Sequence, residues 1–143
     1  MSKNESYFSG EKYNVLAKKL GYRSRAAFKL IQIDDQENIL KKNINIVDLG
    51  SAPGGWSQVV SNKLKGTGSI VAIDILDMPK IKGVKFIKND LRNLDETKLN
   101  NPVDIVISDI APNISGVRLI DNANMIDLLE IELSIVDKTL VKG

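Results

Sequence analysis

Residues 44–57 of the chain read INIVDLGSAPGGWS, and this stretch decides the fold class. The run Ile44–Leu49 is largely β-branched and apolar and stops at Gly50, which predicts a buried strand. Trp56–Leu64 then has the pattern of a helix, so the glycine-rich turn joins a strand to a helix. Glycine in such a turn allows backbone conformations and a close ligand approach that a Cβ atom would block. The helix that follows offers free N–H groups to the same turn.

Three further strands are predicted downstream, each with an acidic residue at or just after its end. They are Ser69–Asp74, then Val84–Ile87 followed by Asn89-Asp90, and Pro102–Asp109. A final helix is predicted over Leu119–Val141. Buried strands separated by helices or longer connections are typical of a parallel sheet covered on both faces. We therefore predict an α/β, Rossmann-like fold with a mostly parallel sheet and its ligand site beyond the carboxyl ends of the strands. The features expected at that edge are Gly50–Gly55, Asp74, Asp90 and Asp109.

The first 42 residues differ from the rest in charge, with nine basic and five acidic side chains against eleven and thirteen in residues 43–143. Two helices are predicted here. One is capped by Ser9 and runs to Leu20, with Gly21 as its stop. The other is capped by Ser24 and runs to about Ile33. We expect one domain over residues 1–143, in which this basic helical segment precedes a cofactor-binding core at 43–143.

Six cations and no acidic residue lie between Lys12 and Lys29, and Tyr13, Tyr22 and Phe28 are interspersed among them. A basic segment with aromatic residues suits a polyanion such as RNA. A solvated helical face has the same composition, so both interpretations stay open. The candidate RNA contacts are Lys12, Lys18, Lys19, Arg23 and Arg25.

The composition excludes several chemistries. The 143 residues include neither Cys nor His, which rules out disulfides, thiol catalysis, Ser-His-Asp catalysis and sites built on His or thiolate ligands. Lys and carboxylate groups remain for proton transfer. No apolar stretch approaches the roughly 20 residues that cross a bilayer, and the N-terminus has no apolar core of a signal peptide. We expect a cytoplasmic monomer without a metal ion or membrane contact.

The glycine turn has rival interpretations. A dinucleotide site is disfavoured because Gly50 and Gly54 are four residues apart with Pro53 between them, which breaks the G-x-G-x-x-G spacing. A phosphate-binding P-loop is disfavoured because no Lys-Ser or Lys-Thr follows. A purely structural turn is weakened by Asp74, an acid about twenty residues on that could accept hydrogen bonds from both hydroxyls of a ribose.

With these residues in view, the sequence resembles the FtsJ/RrmJ family of ribosomal RNA 2′-O-methyltransferases. The likeness spans nearly the whole chain and rests on three separate segments in the right order: Arg23–Leu30, Val47–Gln58 and Ser108–Gly116. It implies a methyltransferase that uses S-adenosylmethionine and modifies RNA, with a uridine ribose of the large ribosomal subunit as the implied target. It also implies that further strands of the sheet would follow residue 143.

The resemblance also implies roles for single residues. Gly54, Gly55 and Trp56 would hold the methionine part of the cofactor, although a tryptophan alone is more often a core residue. Asp74 would take the ribose hydroxyls, and Asp90 would face the adenine amino group, although a helix cap or a turn is the alternative for this Asp.

The family's catalytic set resembles Lys–Asp–Lys–Glu, and Lys29 and Asp109 match its first two members. Asp109 would also border the donor methyl group. The second Lys and the Glu have no counterpart before Gly143, and Lys142 does not match the second Lys. The alternative function is therefore a module that binds S-adenosylmethionine or RNA without catalysis. An NAD-linked oxidoreductase is a third hypothesis, which the glycine spacing disfavours.

Overall fold

A computed structural model describes residues 11–95, 98–99, 102–109 and 118–139 of the protein. The helices are α1 (Glu11–Lys19), α2 (Ala26–Glu37), α3 (Gly55–Leu64) and α4 (Arg118–Thr139), with a short 3₁₀ helix at Leu91–Asn93. The strands are β1 (Asn45–Leu49), β2 (Ser69–Asp74), β3 (Val84–Lys88) and β4 (Ile105–Ser108). Among the described residues, no helix is long and apolar enough to span a membrane.

The four strands form one parallel sheet in the order β3-β2-β1-β4. In its register Leu49 lies opposite both Ile73 and Ser108, so β1, β2 and β4 end at the same level. The glycine turn, Asp74 and Asp109 therefore follow one another along a single edge of the sheet. The predicted α/β architecture is confirmed, and the glycine turn, Asp74 and Asp109 lie along one edge as expected, while the ligand site at that edge stays a prediction.

Successive residues of the strands bury their side chains on opposite faces, because strand side chains alternate. Ile46 and Ile70 pack with α2 and α3, through a cluster that includes Leu30, Trp56 and Val60. Val47, Leu49, Val71 and Ile73 pack on the other face, in a cluster that includes Leu99, Val103 and Ile135 of α4. Both faces of the sheet are thus covered by helices, as a sheet of apolar parallel strands requires.

Two details of the N-terminal helices differ from prediction. Helix α2 runs one turn past Ile33, to Glu37, and ends where Asn38 adopts a left-handed conformation and donates its N–H to Asp34 O. Ser24 is not its N-cap, a prediction that was wrong: Arg25 occupies that position, with no side-chain hydrogen bond to the helix end. Gly21 does end α1, with φ +83°, whereas Ser9 lies outside the described residues.

The last strand and helix are shifted slightly from their predicted bounds. The ladder of β4 covers Ile105–Ser108 rather than Pro102–Asp109, and among the described residues β4 is an edge strand. Helix α4 begins at Arg118. Its side chains Ile126, Leu129 and Leu133 are exposed, at a spacing that places them along one side of the helix.

Candidate functional site

A cavity of about 160 Å³ opens at the carboxyl edge of the sheet, between the glycine turn and the start of α2. Its wall includes Ser24, Asp48, Ser51, Pro53, Trp56 and Asp109. These residues come from three separate segments, two of which the parallel sheet brings together because β1 and β4 end side by side. The site therefore lies where the strand pattern predicted it.

Asp48 is the site residue that the sequence interpretation missed. It is 1% exposed within β1, and its Oδ2 accepts a hydrogen bond of 2.7 Å from Ser57 Oγ. Burial raises the pKa of Asp48 to about 7; the Ser57 hydrogen bond opposes this, and the negative charges of Asp109 and Asp74 add to it. The cavity is thus lined by a carboxyl group that titrates near neutral pH. The available signal was one charged residue inside a strand of mostly apolar residues.

A second polar group in the wall is Ser51, which is 5% exposed. Its Oγ is buried and finds no hydrogen-bond partner within the described parts of the chain. Buried polar atoms in native proteins are nearly always hydrogen-bonded, so an unpaired hydroxyl in a cavity wall favours a polar ligand there.

Lys29 and Asp109, the two predicted catalytic residues, meet beside the cavity. Lys29 Nζ lies 3.5 Å from Asp109 Oδ1, although the two residues are 80 positions apart in the chain. Their side chains are 51% and 38% exposed, so the pair faces solvent at the mouth of the cavity. The fold brings these two residues together, and their catalytic roles stay predictions.

Asp74 already holds two backbone groups of the site. Its Oδ2 accepts a hydrogen bond of 2.9 Å from the Ala52 N–H in the glycine turn, and its Oδ1 accepts one of 2.9 Å from the Leu76 N–H. Each carboxylate oxygen has a second lone pair, so the group retains the capacity to accept hydrogen bonds from a ribose.

Asp90 caps a helix, which is the alternative to an adenine contact. Its Oδ1 accepts a hydrogen bond of 3.0 Å from the Arg92 N–H and caps the short 3₁₀ helix. Asp90 is exposed and does not line the cavity. It follows β3, on the far side of β2 from the glycine turn, so a ligand reaching it would have to extend along the sheet edge.

The glycine pair and Trp56 are held by the N-terminal segment. A Cβ atom on Gly54 would lie 2.8 Å from Arg23 Nη1, and one on Gly55 would overlap the Ser24 hydroxyl. Trp56 is 8% exposed and donates its Nε1–H to Ala26 O over 2.8 Å. Gly55 and Trp56 border the cavity while they pack against this segment. The close approach predicted for a ligand at Gly54 is thus taken by protein atoms.

The basic segment divides into two kinds of residue. Lys12, Lys18, Lys19 and Arg25 are exposed, as a surface for a polyanion requires. Arg23 is instead directed inward, where its guanidinium donates to three backbone carbonyl groups. The aromatic residues are not displayed for stacking on bases: Phe28 is 4% exposed, and Tyr13 and Tyr22 pack edge-on against it. Within the described ranges, no cluster of acidic groups could hold a metal ion.

Comparison with known proteins assigns this architecture to a family. The family model of the FtsJ-like methyltransferases matches residues 22–143. The chain is 48% identical, over 133 residues, to a ribosomal RNA large subunit methyltransferase E of Nitrosospira multiformis, covering 89% of this chain and 65% of the relative. It is 46% identical, over 138 residues, to the protein of that name in Francisella tularensis, covering 92% and 66%.

A solved structure gives the same result. The crystal structure of a ribosomal RNA methyltransferase of Plasmodium falciparum superposes with a TM-score of 0.78 at 31% identity, over 85% of this chain and 74% of that one. The chain spans about two thirds of the length of the curated relatives named above. On the matches of sequence and fold together, the chain belongs to the FtsJ-like methyltransferase family.

Proposed function

We propose that the chain is the cofactor-binding part of a methyltransferase that transfers a methyl group from S-adenosylmethionine to a ribose 2′-hydroxyl of large-subunit ribosomal RNA. A uridine is the proposed target nucleotide. The observation that carries this proposal is the Lys29–Asp109 pair, which stands at the mouth of a cavity beside the glycine turn. By the same likeness to bacterial ribosomal RNA enzymes, we propose that it acts as a cytoplasmic monomer.

The residues of the cavity fit one end of S-adenosylmethionine. At about 160 Å³ the cavity is smaller than the roughly 300–1,000 Å³ of sites that enclose a whole ligand of this size. The methionine end, with its ammonium and carboxylate groups, suits the buried Asp48 carboxyl, the unpaired Ser51 hydroxyl and the turn at Gly55-Trp56. We propose that the nucleoside end extends along the strand ends, with its ribose at Asp74 and its adenine toward Asp90.

When bound, S-adenosylmethionine supplies a methyl group activated by the positive sulfur to which it is attached. The chain's own contribution is mainly to hold the target ribose in line with that methyl group, since positioning can supply much of a rate enhancement. We assign this positioning to Asp109 and Lys29: Asp109 Oδ1 fixes Lys29 Nζ, whose N–H groups are directed to the ribose or the adjoining phosphate.

Proton transfer from the 2′-hydroxyl needs a base. Lys29 Nζ can accept this proton only in its neutral form, whereas as an ammonium it can only donate hydrogen bonds. The resemblance assigns proton removal chiefly to a second Lys, which has no counterpart in residues 1–143. We therefore assign Lys29 to holding the substrate, with Asp109 as the residue that orients it.

The exposed cations of the N-terminal segment supply the RNA-facing surface of the proposal. Lys12 lies in the first turn of α1 and Lys18 and Lys19 in its last turn, and Arg25 precedes α2 by one residue. Arg25 and Lys29 are four residues apart, so both cations lie on one side of the chain as it enters α2. This side also carries Asp109 at the cavity mouth, which connects the proposed RNA surface to the proposed methyl donor site.

The test is methyl transfer from labelled S-adenosylmethionine to large ribosomal subunits lacking this modification. The expected product is a 2′-O-methylated nucleotide, which resists alkaline hydrolysis of the RNA chain. Asp109→Asn should lower the rate of transfer, whereas Asp35→Asn, at an exposed position on α2, serves as the control for loss of one negative charge. A chain that binds S-adenosylmethionine but labels no RNA would favour the binding module over the enzyme.

A further inference from the structure

Arg23 differs from the exposed cations of the basic segment because it is half-buried and its guanidinium donates to backbone carbonyl groups of the protein. Its Nη1 donates to Pro53 O over 3.1 Å and to Pro79 O over 2.6 Å, and its Nη2 donates to Lys80 O over 2.8 Å. Pro53 belongs to the glycine turn, while Pro79 and Lys80 belong to the connection between β2 and β3. One guanidinium thus joins two loops that are more than twenty residues apart in the chain.

The backbone around Arg23 is fixed as well. The Arg23 N–H donates to Gln58 Oε1 over 2.8 Å, and Gln58 Nε2 donates to Gly21 O over 3.0 Å. Gln58 lies in the first turn of α3, the helix that follows the glycine turn. The side chain and the backbone of Arg23 therefore both attach to elements that build the cavity.

The glycine pair is shaped to receive this segment. A Cβ atom at Gly54 would lie 2.8 Å from Arg23 Nη1 and 2.9 Å from Ile81 Cδ1, and one at Gly55 would overlap the Ser24 hydroxyl. Ser24, next to Arg23, in turn lines the cavity together with Pro53. A displacement of Arg23 would therefore move two parts of the cavity wall, the Ala52-Pro53 turn and Ser24.

We propose that Arg23 is a positioning residue for the cofactor cavity, which clamps the glycine turn to the β2–β3 connection, and not a contact to RNA phosphates. The proposal rests on S-adenosylmethionine being the ligand of the cavity. This role requires arginine, because the planar guanidinium directs its N–H donors to three carbonyl groups at once. The ammonium group of lysine is a compact point charge that cannot span them.

The clamp has a second consequence for the ligand. Pro79 and Lys80 follow Asp74, the proposed ribose contact, by only a few residues, and Asp74 itself accepts the Ala52 N–H. The Arg23 guanidinium and the Asp74 carboxylate thus both hydrogen-bond to the glycine turn and to the β2–β3 connection. Loss of Arg23 should therefore weaken the cofactor at both its methionine end and its ribose end.

The experiment compares three variants of the full chain by calorimetry with S-adenosylmethionine and by salt-dependent binding of a labelled fragment of large-subunit ribosomal RNA. Arg23→Ala should lower the affinity for S-adenosylmethionine about tenfold or more, the scale of losing hydrogen bonds from a charged group. Arg23→Lys keeps the charge and should still lose most of this affinity. Both variants should keep the wild-type salt slope for RNA.

Arg25→Ala is the matched control, since it removes an exposed cation two residues away. It should lower the salt slope for RNA by about 0.7–0.9 log units and leave the affinity for S-adenosylmethionine unchanged. This split between two ligands distinguishes a clamp from a general loss of folding, which would lower both affinities together. Thermal melting of each variant measures that loss directly.

Each outcome decides one question. If wild type binds S-adenosylmethionine and Arg23→Ala and Arg23→Lys bind it equally well, the clamp is overturned while the proposed function stands. If Arg23→Ala flattens the salt slope as Arg25→Ala does, Arg23 is an RNA contact and the inference is wrong. If wild type binds no S-adenosylmethionine, the proposed function fails and the inference fails with it.

Discussion

Replacing Asp48 with Asn tests the buried carboxyl group behind the glycine turn. Burial holds the pKa of Asp48 at about 7 in the folded chain, against the ordinary value of 3.8 that applies to the unfolded chain. At a pH between these two pKa values, Asp48 keeps its proton in the folded state and has lost it in the unfolded state. The contribution of Asp48 to the free energy of unfolding is therefore fully present below pH 4 and is lost as the pH rises through 7.

The size of this effect follows from the two pKa values. Each unit of pKa difference is worth about 1.4 kcal/mol, so the stability of wild type should fall by roughly 2–3 kcal/mol between pH 5 and pH 8 because of this group alone. Asp48→Asn cannot ionise and lacks this slope. The assay is urea denaturation of both proteins at four values of pH from 5 to 8, with the difference in free energy of unfolding plotted against pH.

Asp35→Asn is the control, because it removes a carboxylate from an exposed position on α2. Its difference from wild type should stay nearly constant over the same range of pH. Parallel curves for wild type and Asp48→Asn would refute the reasoning, since they would mean that Asp48 is ionised in the folded chain throughout. The Ser57 hydroxyl would then stabilise the carboxylate more than burial destabilises it.

Three further predictions concern the other parts of the site. Gly55→Ala should destabilise the chain by about 1–3 kcal/mol through overlap with the Ser24 hydroxyl, and Ser24→Ala in the same chain should restore most of that loss, as a double-mutant cycle by denaturation will measure. Trp56→Phe should cost about 0.5–1.5 kcal/mol by leaving Ala26 O without its hydrogen bond, and an unchanged unfolding midpoint would contradict this. Lys18→Ala, Lys19→Ala and Arg25→Ala combined should flatten the salt dependence of RNA affinity by about 0.7–0.9 log units per lost phosphate contact, whereas an identical slope would make the segment a solvated face.

The sheet and its ligand edge were predictable because they depend on local pattern. The runs at β1 and β2 are rich enough in Ile and Val to mark strands, and parallel strands place their ends at one edge whatever the side chains do there. Only the family resemblance assigned Lys29 and Asp109 to one catalytic set before the structure was known. No pattern of spacing links two residues 80 positions apart.

The roles of Asp48 and Arg23 were not predictable in the same way. The burial of Asp48 depends on the packing that covers β1. Its hydrogen-bond partner Ser57 lies in the first turn of α3. Arg23 belongs to a run of cations that reads as a uniform basic surface, and its carbonyl partners at 79 and 80 come from a loop far along the chain. For Asp90 the sequence offered both an adenine contact and a helix cap, and the structure shows the cap, on a 3₁₀ helix only three residues long.

The central claim is that S-adenosylmethionine binds at the carboxyl edge of the sheet, with its ribose at Asp74. The most direct measurement is calorimetry of wild type and Asp74→Ala with S-adenosylmethionine, and of wild type with NAD. The account predicts binding of S-adenosylmethionine to wild type, no binding of NAD, and a loss of roughly 1.5–3 kcal/mol in the variant, about 10- to 150-fold in affinity. Equal affinity of a folded Asp74→Ala protein would remove Asp74 from the site, and binding of NAD in place of S-adenosylmethionine would contradict the claim itself.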